Sequence, residues 1–119
     1  MDSMWEAYEA GELHLYAEKL TASERLLLYA LRKHQDGGAI ARVLAGDLDR
    51  LGEARAKHPD FACGQWEAIG YLEAEMGETT QEVVKGREGW EARMDDELKD
   101  VRVVALRMSL REYERGEDA

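Results

Sequence analysis

The side chains best suited to chemistry in this chain of 119 residues are carboxylates, and they crowd into one stretch. Asp95, Asp96 and Glu97 are consecutive, with Glu91 and Asp100 close by. Oxygen donors of this kind bind hard cations such as calcium and magnesium. On a helix, however, Asp96 and Asp100 share a face while Asp95 points elsewhere. The glycine and alternating oxygens of a calcium loop are missing, so the sequence predicts neither a metal nor a cofactor.

The other reactive residue types are no better arranged. His14, His34 and His58 lie far apart, without the Glu-x-x-His or His-x-x-x-His spacing of helix-borne metal sites. His34 and His58 fit positions near helix C-termini, where the dipole favours a cation. Cys63 lies near a helix start, but Asp60 and Glu67 oppose its thiolate, and we expect a small buried hydrophobe. Gly37-Gly38 and Gly86-x-x-Gly89 lack the preceding strand and the Lys-Ser/Thr of a phosphate loop. No residue pair has a spacing that commits it to acid-base or nucleophilic work. No catalytic residue is predicted, and an enzyme is the least expected class.

Charge is the least ordinary feature. The net charge is −10, which argues against direct nucleic-acid binding, because counterion release needs clustered Lys and Arg. The acidity is segregated: residues 59–100 hold twelve acids and four bases, whereas residues 21–58 hold five and seven. Glu67, Glu73, Glu75 and Glu78 come from one predicted helix, and Glu88, Glu91, Asp95 and Asp96, with Glu82, from the next. If these helices are antiparallel neighbours, their acids form a continuous negative strip resembling a phosphate backbone, able to dock on a basic surface. A solvated face that confers solubility is the simpler account of the same run.

The elements that must position these residues read as helices throughout. Ser3-Met4-Trp5-Glu6 and Thr21-Ala22-Ser23-Glu24 are capping boxes, opening a broken helix over 3–19 and a helix over 22–36 that Gly37-Gly38 ends. Ile40, Val43, Leu44, Leu48 and Leu51 mark a third helix, 39–57, stopped by Pro59. Gly46 and Gly52 inside it suggest close helix–helix approach. Asp60 caps a fourth, with Trp66, Ile69, Leu72 and Met76 on its buried side and Gly77 at its C-cap. Thr79 to about Arg115 is the spine, either continuous or broken at Gly86 and Gly89 into 80–87 and 90–115. Trp90, Met94, Leu98 and Val101 follow one helical face there, and Val103, Leu106 and Leu110 form a second. The expected fold is all-α: a compact single domain over 1–119, a bundle of five or six helices with a long C-terminal helix.

One cysteine permits no internal disulfide, no apolar run approaches the roughly 18 residues that span a bilayer, and the acidic N-terminus has no signal-peptide core. A cytoplasmic protein without membrane contact is expected. Leu20-Thr21-Ala22-Ser23-Glu24-Arg25-Leu26-Leu27, followed by Ile40-Ala41-Arg42-Val43-Leu44-Ala45, resembles the opening helices of winged-helix and helix-turn-helix regulators. That resemblance implies a DNA-binding regulator using residues 22–58, although no clean recognition helix follows Gly52. A self-associating helical protein closed by Trp90, Val103, Leu106 and Leu110 is a further alternative. The leading expectation is a small protein-binding module, an inhibitor or adaptor, monomeric or homodimeric, offering its acids to a basic, nucleic-acid-handling partner. By analogy of type, such proteins recur among phage-encoded inhibitors, including anti-CRISPR and anti-restriction proteins that act as nucleic-acid mimics.

Overall fold

The structure is a computed structural model that describes residues 20–117, the side chains of 115–117 excepted. The helix expected over 3–19, its capping box and His14 lie outside the described residues. Five helices are described and no strand: α1 (Ala22–Arg32), α2 (Gly37–Lys57), α3 (Gln65–Lys85), α4 (Trp90–Ser109) and α5 (Glu112–Glu117). The fold is all-α, and no described helix is long and apolar enough to cross a membrane. Two compact units divide between Leu44 and Ala45, inside α2.

In the first unit the capping box at Thr21 forms as expected. The Glu24 amide donates to Thr21 Oγ1, and the Thr21 amide donates to Glu24 Oε1, both at 3.2 Å. The helix does not run to the glycine pair, however. It closes at Lys33, whose amide donates to the Ala30 carbonyl while the His34 amide donates to that of Leu31, and the turn over 33–36 lets Gly37 start α2 instead of stopping α1.

The second unit carries the rest of α2 and the three later helices. Helix α2 ends before Pro59 as expected. Neither of its inner glycines marks a forced approach: a Cβ at Gly46 would meet Lys99 Cε at an ordinary 3.5 Å, and Gly52 faces open space.

Asp60 does not cap the next helix. The chain over 58–64 stays irregular because Phe61 and Ala62 turn inward to form the core with Ala68 and Tyr113, against which Val104 and Met108 pack. Burying a side chain of Phe61's size is worth roughly 1.5–3 kcal/mol, enough to outweigh a cap worth about 1 kcal/mol. Helix α3 then starts after Gly64.

Two further expectations fail along α3. Gly77 is interior rather than terminal, and Thr79 opens no helix. The Thr79 and Thr80 hydroxyls donate to the Glu75 and Met76 carbonyls one turn back, at 3.0 and 2.9 Å, so both threonines are satisfied within a helix already under way. The stop falls at Gly86, whose φ of 56° is left-handed backbone that suits glycine.

The connection from α3 to α4 is short, residues 86–89, and short helix–helix connections make antiparallel neighbours. Arg93 fastens this hairpin by donating from Nε to Glu82 Oε2 at 2.8 Å and from Nη1 to the Glu88 carbonyl at 3.1 Å. The long C-terminal helix is therefore two pieces. Helix α4 stops at Ser109, Arg111 takes a φ of 59°, and the six-residue α5 follows. The physical cause of that break is Glu112: buried to 3% exposure, it anchors α5 against two arginines.

Candidate functional site

Glu75 and Glu78 are three apart on α3, and Glu97 and Asp100 are three apart on α4. That spacing puts each pair on one side of its helix. Because the hairpin is antiparallel and pinned by Arg93 and Glu82 near the turn, the two pairs face each other about two turns farther along. One carboxylate oxygen from each of Glu75, Glu97 and Asp100 lies within 4.8 Å of the others. Glu78 is near enough to both Glu75 and Glu97 to push their carboxyls up.

The surroundings make this cluster unlike a solvated face. Burial, reinforced by the charges of Glu78 and Asp100, pushes the Glu75 carboxyl up to about 7. Burial, and then Glu78, also push Glu97 up. Glu75 Oε2 and Glu97 Oε2 are buried and without a hydrogen-bond partner. Two like unit charges about 4 Å apart repel by roughly 4 kcal/mol at an effective dielectric constant near 20, so four facing carboxylates need protons or a cation.

The cluster opens on a cavity of about 510 Å³ in the second unit, lined by Glu75 and Asp100, by Arg50, Lys57, His58 and Arg107, and by Phe61 and Tyr71 among others. That volume falls in the ordinary range for small-ligand sites, roughly 300–1,000 Å³. Arg50 spans from α2 to Asp100 and Asp96. Arg102 binds Asp47 through two hydrogen bonds of 2.7 and 3.0 Å, tying α4 to α2. At the opposite end Arg107 lies over the Phe61 ring at 4.6 Å. It donates from Nε to Glu112 Oε1 and from Nη2 to the His58 carbonyl, both at 2.8 Å.

Of the nine acids expected to form one strip, the structure brings Glu75 and Glu78 to the cluster, sets Asp96 beside it on Arg50 and pairs Glu82 with Arg93. Glu67 is exposed and accepts a hydrogen bond from the Tyr71 hydroxyl at 2.7 Å. Glu73 sits two residues from Glu75, which on a helix turns it about 160° away. Glu91 and Asp95 are likewise turned from the face of Glu97, and Glu88 lies in the connection. The strip is thus divided among several faces. Glu97 and Asp100 complete the cluster; outside the expected docking strip, they stood in the sequence as cation donors beside Asp95 and Asp96, not as partners of Glu75 and Glu78. The signal that finds them is the paired Glu-x-x-Glu and Glu-x-x-Asp spacing on two helices joined by a short turn. Cys63, expected to be buried, is exposed.

No protein-family model matches this chain, and no curated protein or solved structure is significantly similar to it.

Proposed function

We propose that this protein binds a hard divalent cation, Mg²⁺ or Mn²⁺, at Glu75, Glu78, Glu97 and Asp100, and uses it to hydrolyse a phosphoanhydride in the adjoining cavity. The observation that carries this reading is the pair of buried, unpartnered oxygens, Glu75 Oε2 and Glu97 Oε2, inside a cluster of like charge. All-oxygen carboxylate sets suit Mg²⁺ and Mn²⁺ rather than softer metals. Mg²⁺ is held in proteins by a few carboxylates together with substrate phosphates. The cavity offers the matching features: carboxylates at one wall, Arg50 and Lys57 for phosphate oxygens, and the Tyr71 ring for a flat group. The cation would bind phosphate oxygens and offset the negative charge that grows on them as water adds to phosphorus and the anhydride P–O bond breaks.

This reading departs from the expectation of a non-catalytic docking protein. The acidic docking surface keeps one specific support, the net charge of −10, together with exposed acids such as Glu91 and Asp95 that the cluster does not use. The two readings separate in one experiment. Mn²⁺ binding is followed by calorimetry, and phosphate release from pyrophosphate and nucleoside triphosphates is assayed with Mg²⁺, for the wild type and Glu97→Gln. Saturable Mn²⁺ binding and Mg²⁺-dependent release, both lost in the variant, are expected. Wild-type protein that binds Mn²⁺ no better than the variant would remove the proposal.

A further inference from the structure

Arg50 donates from Nη1 to Asp100 Oδ1 at 2.8 Å and from Nη2 to Asp96 Oδ1 at 2.6 Å. Asp100 also belongs to the group of three carboxylates gathered within 4.8 Å. One carboxylate therefore answers to two cations, a fixed guanidinium and, on the cation-dependent reading above, a divalent ion. The Arg50 side chain is 27% exposed and lines the same cavity as Glu75, so it has room to turn. Its other anchors, Asp96 and Glu53 (3.7 Å from Nε), are 59% and 70% exposed, and ion pairs of that exposure hold a side chain only loosely.

We propose that Arg50 is the resident counter-cation of the cluster: it competes with the divalent ion for Asp100 and, once that ion takes up the carboxylate's charge, turns its fork toward the substrate's phosphates. The inference rests on the cation-dependent reading and adds a positioning and regulatory residue to it. A guanidinium suits the task because its planar donors match phosphate oxygens two at a time, as they match a carboxylate. A divalent ion placed on Asp100 weakens the attraction that holds Arg50 and repels it as well. Cation and phosphate thereby help each other to bind, and the coupling is reciprocal. Without the ion, Arg50 stays on Asp100 and Asp96 and the phosphate site is incomplete.

Mn²⁺ binding to the wild type, Arg50→Gln, Arg50→Lys and Glu97→Gln tests this, followed by titration of imidodiphosphate, which resists hydrolysis, at saturating Mn²⁺. Arg50→Gln should bind Mn²⁺ at least about tenfold more tightly, since removing one positive charge about 6 Å from a divalent ion is worth that much even at the dielectric constant of water and more in a partly buried cluster. It should bind imidodiphosphate about tenfold more weakly. Arg50→Lys, which keeps the charge, should hold Mn²⁺ as the wild type does. In the wild type, the Arg50 Nε–H signal followed by ¹⁵N NMR should shift on adding Mg²⁺, a measurement that needs no variant. If Glu97→Gln loses Mn²⁺ but Arg50→Gln gains nothing, or if the Arg50 signal stays still at saturating Mg²⁺, Arg50 has no such role and the cation site stands. If Arg50→Lys tightens Mn²⁺ as much as Arg50→Gln, charge is not the cause and the inference falls. Wild-type protein without Mn²⁺ binding ends both.

Discussion

Glu75 and Glu112 are carboxylates of the same compact unit, and their surroundings drive them in opposite directions. Both lose water, which by itself raises a carboxyl pKa. Around Glu75 the next neighbours are Glu78, Asp100 and Glu97, so repulsion adds to burial and the carboxyl rises to about 7. Around Glu112 burial also pushes upward, but hydrogen bonds from Arg55 and Arg107 outweigh it and hold the group below the usual range. One site is a closed knot in which each charge has a partner. The other is left open toward a cavity. Burial makes a charged residue neither structural nor functional by itself; what decides is whether its neighbours complete it.

The sharpest way to break this comparison is to neutralise each side. Glu112→Gln leaves Arg107, with a side chain only 3% exposed, without its carboxylate. Removing one partner of a buried pair costs about 3–5 kcal/mol, to be read as a lower urea midpoint at unchanged slope. Glu97→Gln should act in the opposite sense on the cation-free protein, raising its melting temperature because a like charge is removed. The same change should weaken Mn²⁺ binding by about a hundredfold, the upper end of what loss of even a supporting partner costs. A fall in stability with Mn²⁺ binding intact would reverse the roles assigned to the two regions.

Acidity sharpens the contrast further. A carboxyl raised in the fold from 4.5 to about 7 contributes stability that is complete below about pH 4.5 and is lost as pH rises through 7. For Glu75 that loss amounts to about 1 kcal/mol once solvent screening is allowed for. Glu112, lowered in the fold, contributes above the usual carboxylate range and loses its contribution as pH falls through its folded value. Melting curves of Glu75→Gln against the wild type from pH 4 to 8 should therefore diverge toward neutral pH, and Mg²⁺ should close the gap. The smallest effect belongs to the acids outside both regions. Glu91→Lys and Asp95→Lys should each change stability by less than about 0.5 kcal/mol and leave Mn²⁺ affinity within about twofold. A salt-sensitive complex with a basic protein that these reversals abolish would favour the docking reading instead.

How much of this was legible beforehand varies with the range of the interaction. The Thr21 capping box and the stop before Pro59 formed where the sequence placed them, because each is decided by residues within one turn. Gly37, Asp60 and Gly77 were misjudged for the same reason in reverse. At Asp60 and Gly77 the burial of Phe61 and the pairing of α3 with α4 override a local role as cap or stop, whereas at Gly37 the turn over 33–36 places the glycine at the start of α2. Glu75 and Glu78 were named among the acids, yet as part of a strip with Glu73, Glu91 and Asp95.

What the amino-acid order settled by itself is the helical character of the chain, the segregation of its acids and the spacing that sets Glu75 with Glu78 and Glu97 with Asp100, since these depend only on neighbours along the backbone. The tertiary structure alone decided that the two pairs meet, that two of their oxygens are buried without partners, and that Glu112 is satisfied while Glu75 is not. Those outcomes follow from how one helix is rotated against another, and a rotation of a few tens of degrees would trade one set of neighbours for the next.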